Sequence, residues 1–76
     1  MKIQILGGGC PNCKKLEANA REAIAALGIN AEIEKITDID QIMSFGVMMT
    51  PALAIDGVVK SSGKVLSKEQ IIELLR

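Results

Sequence analysis

Apolar residues come in short blocks along this chain, and their spacing changes from block to block. Ile3, Ile5 and Leu6 fill a short run over residues 2–6 that three glycines, Gly7-Gly8-Gly9, bring to a close. That pattern predicts a buried strand. From Pro11 to Leu27 the period lengthens. Leu16, Ala20, Ala23, Ile24 and Leu27 recur at intervals of three and four, which makes one apolar stripe on a helix. Gly28 follows in the position that stops helices. Residues 31–36 alternate again and predict a second strand, near an edge because its charges face outward. Strand, helix and strand in that order form a βαβ unit with parallel strands and a right-handed crossover. Thr37 or Asp38 then caps a short helix reaching about Phe45, with Ile39, Ile42 and Met43 inward and Gly46 at its end. Ala52-Leu53-Ala54-Ile55 is the third strand, and Pro51 belongs at its first position because proline cannot donate to a ladder. Asp56-Gly57 is a two-residue hairpin signal leading into a fourth strand over residues 58–61. Ser62-Gly63-Lys64 turns the chain. Ser67 and Gln70 form a capping box for a last helix with Ile71, Leu74 and Leu75 inward.

Composition narrows the function. The 76 residues form one domain, residues 1–76, and 49% apolar content argues against disorder. Nine basic and nine acidic residues cancel, with no run of like charge, so nucleic acid and anionic membrane are not expected as partners. There is no histidine, which removes Cys-His and Ser-His catalysis and the commonest zinc ligand. One phenylalanine is the only aromatic residue, leaving little for stacking on bases or sugars. No leader or membrane-spanning stretch is expected, because Met1-Lys2 runs straight into a strand.

The chemistry lies in Cys10-Pro11-Asn12-Cys13, which holds both cysteines of the chain. A disulfide between them would close too small a loop to staple the fold. That favours a reactive pair in the cytoplasm over a secreted framework. A C-x-x-C between a strand and a helix reads as a redox dithiol. Pro11 suits the first helical position, since its missing N–H would go unpaired there. Cys10 is then the N-cap, where the positive end of the helix favours a thiolate. Cys13 sits three residues before Leu16 and leans toward the buried face. Cys10 is therefore assigned as nucleophile and Cys13 as the resolving thiol. Lys14 and Lys15 read as solvated surface. The Gly7-Gly8-Gly9 turn reads either as a loose turn or as a place where missing side chains, that of Gly9 included, let a partner's backbone approach Cys10. Met48 and Met49 read as packing residues.

The C-x-x-C at a helix start, Thr50-Pro51 before the third strand, the Asp-Gly hairpin and the closing helix together resemble the thioredoxin fold over essentially the whole chain. The size is similar to glutaredoxins and to small archaeal and bacterial thioredoxin-like redox-active disulfide proteins. The resemblance implies an α/β fold of order βαβ-α-ββα, a four-stranded mixed sheet flanked by three helices. It implies that Pro51 is cis and packs beside the dithiol. Thr50 would then offer its backbone to a substrate segment as a one-residue strand addition. Pro11, Asn12 and Gly9 would complete the substrate-binding surface. This chain departs from the family at several places. The tryptophan before the first cysteine is replaced by Gly9. The buried carboxylate six residues earlier is replaced by Gln4, which cannot titrate, so proton transfer is left to water. Ser61-Ser62-Gly63 and Ser67 match the glutathione-holding turn of glutaredoxins poorly, so glutathione is a doubtful partner.

The leading function is a monomeric thiol–disulfide oxidoreductase acting on disulfide-containing proteins. It needs no cofactor beyond the Cys10–Cys13 disulfide, no metal, and a thioredoxin-reductase-type electron donor. A Cu(I) carrier is the first alternative, since thiolates suit Cu(I). Small copper chaperones, however, run βαββαβ and carry a methionine where this chain has Gly8. A non-catalytic interaction module with a spare dithiol is the second alternative.

Overall fold

The computed structural model describes residues 1–9 and 11–75. Cys10, the predicted N-cap and nucleophile, lies outside the described residues. The chain runs β1 (Lys2–Leu6), α1 (Pro11–Leu27), β2 (Glu32–Ile36), α2 (Ile39–Ser44), β3 (Ala52–Ile55), β4 (Val58–Ser62) and α3 (Lys68–Leu75). One four-stranded sheet has the order β2-β1-β3-β4. β1 pairs in parallel with β2, Ile5 opposite Lys35, and antiparallel with β3, Ile5 opposite Leu53. β4 pairs antiparallel with β3, with a register irregularity between Leu53 and Ala54.

Side-chain alternation along the strands divides the core in two. Ile3, Ile5, Leu53 and Ile55 face α1 and α3, where Leu16, Ala20, Ala23, Leu66 and Ile71 meet them. Leu6, Ala52 and Ala54 face the other way, against Ile36, Ile42 and Val47. On that thinner face a six-residue helix does the covering, and two of the four buried strand residues in this cluster are alanines. The α1 stripe falls where its spacing predicts: Cys13, Leu16, Ala20 and Ala23 are buried.

The shorter helices depart from expectation. In α2 only Ile42 is buried, while Ile39 and Met43 are exposed. A helix of fewer than two turns turns one residue fully inward, and its flanks stay in solvent. In α3, Ile71 is buried and Ile72 and Leu75 pack against the core, whereas Leu74 points out. The capping box holds as predicted. Ser67 Oγ accepts from Gln70 N (3.2 Å) and Gln70 Oε1 accepts from Ser67 N (2.9 Å). Ser67→Ala should therefore cost about 1 kcal/mol. At this chain length that is a fall of roughly 4–8 °C in Tm, read by thermal unfolding.

Two tethers fix the sheet's far end. Asp56 and Gly57 both have positive φ, as the tight hairpin requires. Lys2 N donates to Asp56 Oδ1 and Asp56 N donates to Lys2 O, each at 2.8 Å. Gln4, 8% exposed, accepts from Gly57 N through Oε1 at 3.0 Å. Its amide therefore serves the hairpin, at the end of the sheet opposite Cys13. The segment leading into α3 is joined to α1 through Asn19 Nδ2, which donates to Leu66 O at 2.9 Å.

Candidate active site

Three separate parts of the chain converge at the C-terminal end of β1. The first is Gly7, buried, whose N–H donates to Ile36 O at 2.9 Å and so carries the parallel ladder one residue past β1. The second is Cys13, in the first turn of α1 and 5% exposed. The third is the segment before β3, where the Thr50–Pro51 peptide bond is cis. Pro51 is buried, Thr50 is exposed, and Pro51 O accepts from Gly63 N at 2.8 Å, which fastens this segment to the end of β4.

Gly7 is the hinge of the arrangement. A Cβ built on it would overlap the Cys13 sulfur and would lie 3.4 Å from Cys13 Cβ and 3.7 Å from Thr50 Cβ. The sulfur therefore occupies the space a side chain would take. Gly8 and Gly9 are different: both are exposed, with open space around them, and Gly9 has φ +83°, a region that favours glycine. Pro11 and Asn12 are exposed at the start of α1. Among the described residues the structure thus brings together Cys13 and Thr50, with the buried Pro51 next in the chain, and leaves Gly9, Pro11 and Asn12 exposed. The role of Gly7 is hidden in the sequence by its two glycine neighbours.

Two hollows adjoin this point. A groove of about 360 Å³ runs from Gly8 and Thr50 past Thr37, Ile39, Ile42, Met43, Val47 and Met48. Met48 is 97% exposed, and Met49 is exposed too, so neither is the packing residue the sequence suggests. Both methionines lie in the segment between α2 and β3. A smaller hollow of about 70 Å³ lies on the other side of the sulfur, lined by Ile5, Gly7, Gly9, Cys13, Lys14, Glu17, Lys35 and Thr37. Glu17 Oε1 meets Lys35 Nζ at 3.0 Å, and Glu17 Oε2 meets Arg21 Nη2 at 2.8 Å. The hydrogen bonds from Arg21 and Lys35 hold the Glu17 carboxyl below its ordinary pKa.

A thioredoxin-domain family model matches residues 1–76. The chain belongs to the thioredoxin family. It is 56% identical over 75 residues to a thioredoxin of Methanothermobacter thermautotrophicus, covering 99% of this chain and 97% of that one. It is 43% identical over 74 residues to a thioredoxin of Methanocaldococcus jannaschii, covering 97% and 85%. A solved structure of a malarial protein superposes with a TM-score of 0.70 over 97% of this chain and 91% of its own, at 14% identity, and so shares the fold. The four-stranded mixed sheet with three helices is the thioredoxin-like architecture. At the level of the family, the activity is thiol–disulfide oxidoreduction.

Within this thioredoxin-family site, the position of the usual buried carboxylate is Gln4, and Gln4 is turned away to the hairpin. Glu17 is the acidic residue that shares a cavity with Cys13. The sequence carries one hint of it. Glu17 lies four residues after Cys13, and Arg21 four after Glu17, so all three stand in one column of α1.

Proposed function

We propose that this thioredoxin-family protein reduces disulfides in other proteins through Cys10 and Cys13. The observation that carries the reading is the placement of Cys13, with its sulfur in the space beside Gly7 and next to Thr50. A thiol held there is shielded from solvent yet beside the segment that would seat a substrate. In the first step the Cys10 thiolate attacks one sulfur of the partner's disulfide. A Cys10–partner S–S bond forms, and the partner's other sulfur leaves as a thiolate that takes a proton. In the second step Cys13 gives up its proton and attacks Cys10. The Cys10–Cys13 bond forms, the bond to the partner breaks, and the partner departs with both electrons of the dithiol. An external reductase of the thioredoxin-reductase type returns the pair to the dithiol.

Thr50 would pair its backbone with an extended stretch of the partner, as in strand addition. Pro51 sets that stretch against the dithiol, and Gly9, Pro11 and Asn12 leave room for it. The groove beside Thr50 suits apolar residues flanking the partner's cysteine. Its exposed methionines are adaptable contacts, which fits a protein that meets varied partners. The setting that matches this direction of electron flow is a reducing cytoplasm. No helix among the described residues is long and apolar enough to cross a membrane.

The test is a redox titration of the purified protein, followed by thiol alkylation and mass. Both cysteines should convert together as one two-electron couple near roughly −270 mV, the thioredoxin range. Independent oxidation of the two thiols, or a retained copper ion that blocks alkylation, would overturn the reading.

A further inference from the structure

The second step has a requirement that the site described so far does not meet. Cys13 is buried, and burial disfavours its thiolate. Cys13 must nevertheless ionise to attack. The small hollow behind its sulfur shows which charges can act on it. α1 contributes Lys14 and Glu17, and β2 contributes Lys35. Among the described residues, the β1–α1 loop and the segment before β3 bring only Gly7, Gly9 and Thr50, which carry no charge. Lys14 is exposed at the start of α1. Lys35 is different, because Glu17 holds its ammonium at 3.0 Å, and Glu17 is itself fixed from the other side by Arg21. The Glu17 side chain is only 15% exposed. A tethered pair of opposite charges thus forms one wall of the Cys13 cavity.

We propose that the Glu17–Lys35 pair is the charge control of the resolving thiol: Lys35 favours the Cys13 thiolate, Glu17 opposes it, and their balance sets how fast Cys13 attacks the mixed disulfide. Both are positioning residues, acting through the cavity without touching the partner. The link to rate rests on the oxidoreductase reading of the dithiol. The link to Cys13 ionisation does not. The carboxylate of Glu17 is a poor candidate for the proton acceptor itself. Two cations hold it ionised, and a carboxyl with a lowered pKa is a weak base at neutral pH. Its place is electrostatic, and the proton leaves to solvent.

The decisive property is sign. In a Cys10→Ser background Cys13 is the only cysteine, and its ionisation can be read from the ultraviolet absorbance of the thiolate against pH. Lys35→Met should raise the Cys13 pKa and cut the thiolate fraction at neutral pH roughly three- to tenfold. Glu17→Gln should move it the other way by a similar factor. Lys35→Arg, which keeps the charge, should restore the original titration. In the dithiol protein the resolving rate should follow these fractions at neutral pH and converge once pH exceeds the thiol pKa. The Lys35 side chain is 60% exposed, so its variants should fold, and thermal unfolding of each checks this. Unchanged titrations, or shifts of the same sign in both variants, would overturn the proposal and leave a structural ion pair. A Glu17→Gln protein that resolves slowly with an unshifted Cys13 titration would overturn it in favour of a proton acceptor. Opposed shifts in a protein that reduces no disulfide would uphold the charge control and remove the oxidoreductase reading instead.

Discussion

A Cys10→Ser protein should lose disulfide reduction by roughly 10³-fold or more, while a Cys13→Ser protein should complete the first step and stop. The proposed mechanism gives the two thiols different tasks, so their losses should have different signatures. Serine at position 10 leaves a hydroxyl, whose proton is far too tightly held for it to act as nucleophile without a neighbouring base. The chain has no histidine to serve as that base. Serine at position 13 leaves the attacking thiol intact but removes the group that would release the partner. The mixed disulfide should then accumulate to near one partner per protein. It should appear on a non-reducing gel as a species that disappears with added dithiol. Should Cys13→Ser turn over at the wild-type rate, or Cys10→Ser trap the partner in its place, the assignment of roles would be reversed or void.

The second large effect is expected at Gly7. Its backbone lies outside the positive-φ region, so alanine meets no conformational penalty there. The penalty is contact alone, with the Cys13 sulfur. Gly7→Ala must push Cys13 outward or shift the end of β1, where Gly7 N holds Ile36 O. Overpacking of this kind costs about 1–3 kcal/mol. For a chain of this size, 2 kcal/mol is a fall of roughly 8–16 °C in Tm. The contact explanation makes a sharper claim. In a Cys13→Ala background most of the cost of Gly7→Ala should vanish, giving a coupling energy of about 1 kcal/mol or more. Gly8→Ala, in open space at an ordinary φ, should stay within about 0.5 kcal/mol of the parent. If Gly7→Ala costs the same with and without the sulfur, then the hinge role assigned to Gly7 is wrong.

The contrast between Gly7 and Gly8 also shows what could be read before the fold was known. The elements were legible because their signals are local. The period of α1, the Asp56–Gly57 turn and the Ser67–Gln70 box each depend on residues within a few positions of one another, and each falls where expected. The pair of Cys13 with the segment at Thr50 and Pro51 was legible through resemblance to a known architecture. Three glycines in a row, however, look alike in sequence. Only the meeting of β1 with α1 distinguishes the one that abuts a sulfur. The same holds for Glu17 and Lys35, which read separately as a polar helix face and an edge-strand charge. They become a pair because β1–β2 pairing sets Lys35 opposite Ile5, on the side where α1 lies. Ile39, Met43, Met48 and Met49 went the other way. Apolar character suggested burial, but α2 is too short to turn more than Ile42 inward, and Met48 and Met49 in the segment after it are exposed.

The strand order has a consequence for how the protein comes into being on the ribosome. β1 is made first, yet it lies between β2 and β3, and β3 begins at residue 52. A growing chain that has released only its first half carries both cysteines but lacks the strand that closes the sheet beside them. Leu53 and Ile55 are not yet present to pack on Ile3 and Ile5, and Thr50 is not yet beside Gly7. Until then Cys13 lacks the neighbours that bury it. The setting of Cys13 is completed late, when the last half of the chain docks, so a prematurely terminated product would bear the motif without the site.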